Sequence, residues 1–477
     1  MLALQSPESF SQLATFVLVA FVLPLCTYLL FFYSPVSPYP EYAFGSTPTV
    51  VTARINDKET EQISIKTLLE TQCPSLFTAF RPRWYLFNGH LQTIFCLVVN
   101  FAKVNRMMYW RTYLRLADGG TIGLDFAPAV QSKVKPDAPI IVVQHGLSGG
   151  SYEAYVRVVL ARACAPVEKG GLGYRAVVIN YRGCAGVPIT SPMLYSAGHT
   201  DDTRQALTYI ANKFPRARLI GIGFSLGANT LARYLAEEKD KSRLHSGIAL
   251  GCPWNMELNG VMMKKSFIGR NIYSKAMAGN LLALTKRHTE SFLRDPSHRV
   301  AEGMRQLLKL SRAPTLDEFD SAFTMVAGGP APHFPFTDVM DYYRWVSTHN
   351  ILHHIKRPFF ALSTSDDPVV RDIPMDAGDN GMLTLGLTAQ GGHIGWFHQE
   401  GHWTDRWTTK GVLEWMKCMG EDIVDDFSAE EDRAEIYTDD AGFLRERGFE
   451  ELGCKVIPGG GLFDGNRGEP PIDVLSC

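Results

Sequence analysis

The stretch of sequence that decides the fold is LIGIGFSLGANTLARYL, residues 219–235. An apolar run at residues 219–222 leads into GFSLG at residues 223–227, and a helix-forming segment at residues 228–235 follows directly. Strand, sharp turn and helix in that order predict that Ser225 lies on a strained turn with its hydroxyl at a helix N-terminus, where developing negative charge is favoured. The alternative is a structural Gly/Ser turn, because the pentapeptide alone often occurs by chance.

Short apolar runs on both sides of this stretch predict a mostly parallel sheet. The runs are rich in Val, Ile and Leu, which is typical of strands covered on both faces, and helical stretches separate them. A hairpin is predicted at residues 110–126. The predicted strands occupy residues 140–143, 176–179, 219–222, 247–250, 359–362 and 382–387. Residues 252–355 look mainly helical and interrupt the strand order, which predicts a cap over an active site.

A serine hydroxyl is a weak nucleophile at neutral pH, so it needs a base and an acid that orients the base. In this context the acid and then the base follow the serine along the chain. We expect the acid to be Asp367, because it directly precedes Pro-Val-Val, and Asp366 is the alternative. Both carboxylates could instead cap a helix or face water. The base is predicted to be His393, because glycines flank it in a loop after the last predicted strand.

Acyl transfer also needs N–H donors for the tetrahedral oxyanion. One donor is predicted to be the backbone of Leu226, directly after the nucleophile. The other is predicted to be Leu147, in the run QHGLSGG at residues 144–150 after a predicted strand. His145 in the same run is either a support for this loop or a satisfied core residue, and the sequence favours neither.

The other histidines lack the position of a catalytic base. His353 and His354 precede a strand, whereas His398 and His402 fall in the stretch after the predicted base and are expected at the surface or in the cap. A metal site built from His393, His398 and His402 has no acidic or thiol partner at ligand spacing. The predicted chemistry therefore needs no metal and no organic cofactor.

The composition is that of an ordinary globular protein, with 45% apolar and 20% charged residues in 477. Lys and Arg number 47 against 49 Asp and Glu, so there is no basic surplus of the kind that nucleic-acid binding requires. We therefore expect no nucleic-acid partner. The nine cysteines lie far apart without C-x-x-C pairs, which favours free thiols. The oligomeric state stays open.

The N-terminal region carries an apolar segment long enough to cross a bilayer. No Asp, Glu, Lys or Arg occurs between Glu8 and Glu41, and residues 13–33 match the roughly 20 apolar residues of a span. A cleaved signal peptide and a buried core helix are the alternatives, but residues 1–12 contain no Lys or Arg of a signal n-region. The segment predicts a membrane anchor and a single-pass protein of an endomembrane such as the endoplasmic reticulum or of lipid droplets.

The rest of the chain divides by composition. Residues 34–60 begin with a Pro- and Ser-rich run and are predicted to be a tether. Residues 61–420 are predicted to form the enzyme domain, with the cap inserted at about 252–355. Residues 421–477 open with ten Asp or Glu among residues 421–440 and become Gly-rich, which predicts a solvated, partly disordered tail.

Several motifs together resemble the AB hydrolase family 4 branch of the α/β-hydrolases over roughly residues 67–416. The motifs that carry the resemblance are Trp84, NGHLQT at residues 88–93, HGLSGG at 145–150, NYRGC at 180–184, YSAGHTDD at 195–202, GFSLGAN at 223–229, DDP at 366–368 and GGH at 391–393. The resemblance implies an α/β-hydrolase fold, a mostly parallel central sheet with helices on both faces and a mainly helical cap. It also implies Ser225, Asp367 and His393 as the triad.

The resemblance implies membrane-associated enzymes that act on acyl esters. The expected activity is that of an esterase or lipase acting on short- to medium-chain acyl esters such as acylglycerols, through an acyl-serine. An alcohol O-acyltransferase that makes ethyl esters would use the same residues, and a catalytically inactive scaffold is a third possibility that the intact Ser, Asp and His argue against. The sequence gives no mechanism for GHLQT at residues 89–93.

Overall fold

The computed structural model describes residues 36–54, 59–310, 313–424 and 434–472. The strands in these ranges are β1 (Glu41–Phe44), β2 (Val50–Arg54), β3 (Thr60–Ser64), β4 (Met108–Leu116), β5 (Thr121–Ala127), β6 (Ile140–Gln144), β7 (Arg175–Asn180), β8 (Leu219–Phe224), β9 (Ser246–Leu250), β10 (Phe359–Thr364), β11 (Leu383–Thr388), β12 (Ile436–Thr438), β13 (Leu444–Glu446) and β14 (Cys454–Asp464).

The α-helices in the same ranges are α1 (Ile65–Gln72), α2 (Gly89–Val98), α3 (Ala154–Ala163), α4 (Asp201–Lys213), α5 (Leu226–Glu238), α6 (Met256–Lys265), α7 (Lys275–Arg287), α8 (Thr289–Leu293), α9 (Arg299–Lys309), α10 (Leu316–Phe319), α11 (Met325–Ala327), α12 (Val339–Val346) and α13 (Thr408–Lys417). Three π-helical segments also occur in these ranges, at Gly269–Ser274, Asp320–Thr324 and Cys418–Asp422.

Twelve of the described strands form one sheet in the order β1-β11-β10-β9-β8-β6-β7-β5-β4-β14-β13-β12. The six central strands, from β11 to β7 in that order, pair in parallel, and the outer strands pair antiparallel. Parallel strands end on the same edge of a sheet, so the loops after β6, β8, β10 and β11 meet at one edge. The predicted mostly parallel α/β fold is confirmed.

Helices cover both faces of the sheet, so the central strands are buried at nearly every position and most of their residues are apolar. In β6, Ile141 packs on one face with Val156 of α3, whereas Ile140 packs on the other face with Leu231 of α5. Successive side chains of a strand point to opposite faces, so one run of four apolar residues supplies both cores. Removing a leucine side chain such as Leu231 from this packing would cost about 2–5 kcal/mol.

Helices α6 to α12 lie in the region predicted as a cap, and α7 to α11 share one apolar cluster. Leu281, Phe292 and Met304 are buried in that cluster. Leu147 and Leu226, which follow β6 and β8, pack against it while partly buried. The cap helices are therefore anchored directly over the loops that carry the predicted oxyanion donors.

The structure adds strands where the sequence analysis expected a tether and a solvated tail. β1 pairs antiparallel with β11, and β2 pairs with β3 in a separate hairpin. β14 pairs with β4 and extends the sheet at its other edge. These strands are short, polar or Gly-rich, so they carry no apolar periodicity that would predict them. For β1 and β14 the partner strand also comes from a distant part of the chain.

The prediction of a single-pass membrane protein is corrected. Across the described ranges, every helix is too short or too polar to span a bilayer. The single-pass localisation is wrong on this finding. The segment that led to the prediction, residues 13–33, lies outside the described residues.

Candidate active site

Ser225 lies between β8 and α5 on a backbone that ordinary residues avoid. Its φ and ψ are 52° and −121°, a positive-φ conformation that only a well-braced turn retains. A side chain at position 223 would collide with the backbone of Gly227 and Ala228, and one at position 227 with the carbonyl oxygens of Gln144 and His145. The glycines on either side of the serine are therefore required by close backbone contacts.

The structure brings Ser225, His393 and Asp367 into one hydrogen-bonded chain. Nε2 of His393 lies 2.8 Å from Oγ of Ser225, and Nδ1 lies 2.8 Å from Oδ2 of Asp367. A carboxylate only accepts, so Nδ1 carries the proton and Nε2 is left to accept from the serine hydroxyl. The histidine side chain is 13% exposed and the aspartate 1%. The imidazole is thus reachable from solvent or substrate, whereas its carboxylate partner is not.

Asp367, and not Asp366, faces the imidazole. Oδ1 of Asp367 accepts from the backbone N–H groups of Val369 and Val370, at 2.7 and 2.9 Å, which fixes the carboxylate and leaves Oδ2 for His393. Oδ1 of Asp366 instead accepts from Gly392 N, at 2.9 Å. Burial raises the pKa of Asp366. The neighbouring carboxylate therefore holds the backbone of the histidine loop rather than its ring.

Leu147 and Leu226 line a cavity together with Ser225. Leu226 opens α5, and the first four N–H groups of a helix have no partner within the helix. On either side of Leu147 the loop is tied down, because Gly146 N donates to Tyr155 Oη and Ser148 N donates to Tyr195 Oη, each at 2.9 Å. The loop that offers the Leu147 N–H is therefore rigid.

His145 supports this loop from within the core. It is fully buried, and its ring lies against Tyr181 with 4.2 Å between ring centroids. Nδ1 lies 2.8 Å from the carbonyl oxygen of Gly146. Burial lowers the pKa of His145 to about 4, so the ring is neutral at physiological pH. Of the two readings that the sequence left open, the structure shows a core residue that also braces the loop.

The motif at residues 89–93, which the sequence left without a mechanism, holds the histidine loop. His393 N donates to Oγ1 of Thr93, at 2.9 Å, and Thr93 Oγ1 donates to Gly89 O. The buried amide of Gln92 donates to Phe397 O and accepts from Phe397 N. The sequence did hold a signal for this role, because α2 places Gln92 and Thr93 among mainly apolar residues. Buried polar side chains need hydrogen-bond partners, so the pair predicts contacts with another segment.

Two cavities meet at the serine. The smaller one has a volume of about 120 Å³ and runs under the cap. The larger one has a volume of about 370 Å³ and lies on the side of the histidine. Both are lined by Ser225, Leu147, Met277 and Val369. His393 lines only the larger one. The apolar side chains of the smaller cavity include Leu194, Met256, Met263, Leu281 and Leu316.

The buried carboxylate of the smaller cavity is satisfied by its neighbours. Asp320 is buried there, and its carboxylate oxygens accept from Thr324 Oγ1 at 2.6 Å and Tyr343 Oη at 2.7 Å. Burial raises the pKa of Asp320 to about 6. Exposed Lys264 and Arg270 also line this cavity. Next to the serine its surface is mainly apolar, as an acyl chain requires.

Comparison with known proteins agrees with this geometry. A family model described as alpha/beta hydrolase fold matches residues 139–395. The monoacylglycerol lipase of Saccharomyces cerevisiae is 28% identical over 426 residues, 81% of this chain and 90% of that protein. An abhydrolase domain-containing protein of Dictyostelium discoideum is 30% identical over 374 residues, which cover 77% of this chain and 86% of that protein. Medium-chain fatty acid ethyl ester synthase/esterase 2 of S. cerevisiae is 26% identical over 427 residues, which cover 76% of this chain and 91% of that protein. The chain belongs to the α/β-hydrolase fold family.

Proposed function

We propose that this protein is a serine ester hydrolase in which Ser225 is the nucleophile, His393 the general base and acid, and Asp367 the residue that orients the imidazole. The observation that carries the proposal is the unbroken chain of two 2.8 Å contacts from Asp367 through His393 to Ser225, on the wall of a cavity. Such a chain activates a hydroxyl that is otherwise inert at neutral pH.

The reaction proceeds in two halves. His393 Nε2 takes the hydroxyl proton as Ser225 Oγ attacks the ester carbonyl carbon, and the N–H groups of Leu147 and Leu226 bind the oxyanion that forms. The ester C–O bond then breaks, and the imidazolium gives its proton to the leaving alkoxide. Water repeats the sequence on the acyl-serine and releases the acid. Loss of one oxyanion donor is expected to cost about 2.7–4 kcal/mol of transition-state stabilisation.

Short- to medium-chain acyl esters, such as acylglycerols, are the proposed substrates. The mainly apolar walls of the smaller cavity suit an acyl chain, because apolar surface removed from water contributes about 25 cal/mol per Å². The relatives named monoacylglycerol lipase and ethyl ester synthase/esterase support the same substrate class.

Labelling with a fluorophosphonate probe tests the nucleophile. The wild-type protein is expected to react, and Ser225→Ala is expected to lose the label, because the probe forms a bond only with an activated serine. Ser297→Ala is the matched control, since Ser297 is an exposed serine of the cap region whose Oγ binds Asp295. A wild-type protein that is folded and unlabelled would refute the proposal and favour an inactive scaffold.

Alcohol O-acyltransfer is the second candidate, favoured by the relative named ethyl ester synthase/esterase. The triad and the acyl-serine are the same, and only the acceptor of the acyl group differs. Incubating the purified protein with a medium-chain acyl thioester, with and without ethanol, and measuring ethyl ester against free acid separates the two activities. Free acid alone in the presence of ethanol would exclude the transferase.

A further inference from the structure

The larger cavity is the place for the alcohol part of the substrate. His393 must give its proton to the leaving alkoxide, so the alcohol departs on the side of the imidazole. Only the larger cavity is lined by His393, whereas Leu226 lines only the smaller one. The acyl chain is thereby left to the smaller, mainly apolar cavity under the cap. This division rests on the proposed function.

The alcohol cavity contains two polar side chains that nothing in the described part of the chain engages. Glu153 lines it partly buried, and its carboxylate has no hydrogen bond or ion pair within the described ranges. Asn280, exposed on the cap helix α7, lines the same cavity, and its side-chain amide likewise has no partner there. By contrast, Arg287 and Glu469 on the same wall bind each other through two contacts of 2.7 and 2.8 Å.

The guanidinium groups nearest Glu153 are committed elsewhere. Arg157 donates to the carbonyl oxygens of Tyr152 and Phe101. Arg406 donates to the carbonyl oxygen of Ile394. Neither forms an ion pair with Glu153, although both lie close enough to favour its charged form. Burial is the larger effect and raises the pKa of Glu153 to about 7. A carboxylate kept unpaired beside two cations is available to a ligand.

We infer that Glu153 and Asn280 bind the free hydroxyl groups of a neutral polyol, such as the glycerol part of a monoacylglycerol, and so determine the alcohol specificity of the enzyme. A carboxylate accepts hydrogen bonds from hydroxyls, and an amide both donates and accepts. Both groups bind free hydroxyls, and the ethyl part of an ethyl ester offers none. A site that hydrogen-bonds a substrate hydroxyl discriminates against an analogue that lacks it, and Glu153, the more buried of the two residues, is expected to contribute more than Asn280.

The charge of the cavity favours a neutral alcohol over an anionic one. Its lining includes two acids, Glu153 and Glu469, and one arginine, Arg287, apart from the histidine of the triad. The arginine is already paired with Glu469, so it is not free to bind an anionic group. A phosphorylated alcohol would therefore find no unpaired arginine or lysine among the described residues that line this cavity.

The test compares esters of one acid that differ only in the alcohol. We would measure kcat/KM for 1-octanoylglycerol and for ethyl octanoate, and take the ratio of the two as the selectivity. Glu153→Ala and Asn280→Ala are each expected to lower this ratio about tenfold or more, because each removes hydrogen bonds made only to the polyol. Glu168→Ala, at an exposed glutamate outside both cavities, is expected to leave the ratio unchanged.

Each outcome decides one proposal. If Glu153→Ala is folded by circular dichroism and lowers kcat/KM equally for both esters, or changes neither, the polyol site is refuted while the esterase stands. If the ratio for octanoylcholine over ethyl octanoate falls instead, the cavity recognises a cation and the polyol assignment is wrong. If the wild-type protein hydrolyses none of the esters and resists the fluorophosphonate probe, the proposed function itself fails.

Discussion

At the scale of single residues, the turn at Ser225 shows what the pattern G-x-S-x-G encodes. The serine has positive φ, and the two glycines lie where any side chain would overlap backbone atoms of the next strand or helix. Gly227 matters most for chemistry, because the atoms it faces belong to Gln144 and His145. These residues begin the loop that carries Leu147. The turn at Ser225 and the loop of the proposed oxyanion donor therefore fix each other's position.

Gly227→Ala is predicted to damage stability and activity together. The added methyl group must push back the carbonyl oxygens of Gln144 and His145, and such overpacking costs about 1–3 kcal/mol. The same shift displaces the Leu147 N–H, so kcat is expected to fall as well. Urea unfolding and ester hydrolysis measure the two effects.

Gly279→Ala is the matched control for this substitution. Gly279 lies within α7, and a methyl group added there would meet no atom within 4 Å. Alanine is the better helix former by about 0.8–1 kcal/mol, so this variant is expected to be as stable as the wild type or more so. Equal destabilisation by both substitutions would contradict the close-packing argument.

The three residues of the proposed triad could be predicted from local sequence patterns and from their order along the chain. Ser225 stands in a strand-turn-helix signature, and Asp367 and His393 follow it in loops after apolar runs. The choice between Asp367 and Asp366 depends on which carboxylate the Val369 and Val370 N–H groups clamp, a contact that the structure shows. The catalytic roles themselves stay predictions until the labelling experiment is done.

At the scale of elements, helix α2 and the loop after β11 act as one unit. Two side chains of this helix bind the backbone of the loop: Thr93 accepts from His393 N, and Gln92 accepts from Phe397 N. The two partners lie some 300 residues later in the chain. Gly89 fits against Asp366, and Gly392 against the carbonyl oxygen of Gly89. The imidazole of His393, the proposed base, is thus positioned by a helix that contributes nothing to the central sheet.

Thr93→Val is predicted to lower kcat about ten- to a hundredfold with little change in KM. Valine has the shape of threonine but cannot accept the hydrogen bond from His393 N, and small displacements of a catalytic group are costly. Thr93→Ser should restore most of the rate, because its hydroxyl can still accept. Steady-state kinetics on one ester measure both.

Thr71→Val serves as the control for the loss of a hydroxyl. Thr71 is an exposed residue of α1 whose Oγ1 donates to Thr67 O. We expect no change in kcat. If Thr93→Val raises KM while kcat stays constant, the residue contacts substrate and does not position the histidine.

The elements that the sequence missed share a physical reason. The strands of the parallel centre are buried on both faces, so each carries its own apolar signal; the runs predicted at residues 140–143 and 219–222 were confirmed as β6 and β8. β1 and β14 sit at or near the outer edges, and their sequences, EYAF and CKVIPGGGLFD, carry no such run. Their strand conformation depends on β11 and β4, which no local window contains.

At the scale of the whole molecule, residues near the C-terminus complete the sheet. Residues 454–457 of β14 pair with 113–116 of β4, and residues 461–464 pair with 108–111, with an irregularity between the two runs. Beyond β14, Glu469 reaches Arg287 of the cap helix α7. The same segment therefore pairs with the sheet and touches the wall of the alcohol cavity.

Truncation before Cys454 is predicted to lower Tm by several degrees and to promote aggregation. It removes the partner of β4 along nearly its full length, and an unpaired strand edge is a template for association. Thermal unfolding and light scattering measure these effects. Val456→Ser, at an exposed position of β14, is the control and should behave as the wild type. A truncated protein with unchanged Tm and no aggregation would show that β14 is dispensable.

The meeting of two cavities at one serine makes the acyl-enzyme a branch point. In the proposed mechanism the acyl group remains under the cap after the first half-reaction, while the neighbouring cavity empties and refills from solution. Water or an alcohol can then enter and accept the acyl group. The ratio of free acid to ester therefore depends on how often each of the two occupies the site beside His393. Adding glycerol in increasing concentration should then raise the yield of ester at the expense of free acid. The glycerol concentration at the midpoint of that change would measure the affinity of the emptied cavity for glycerol.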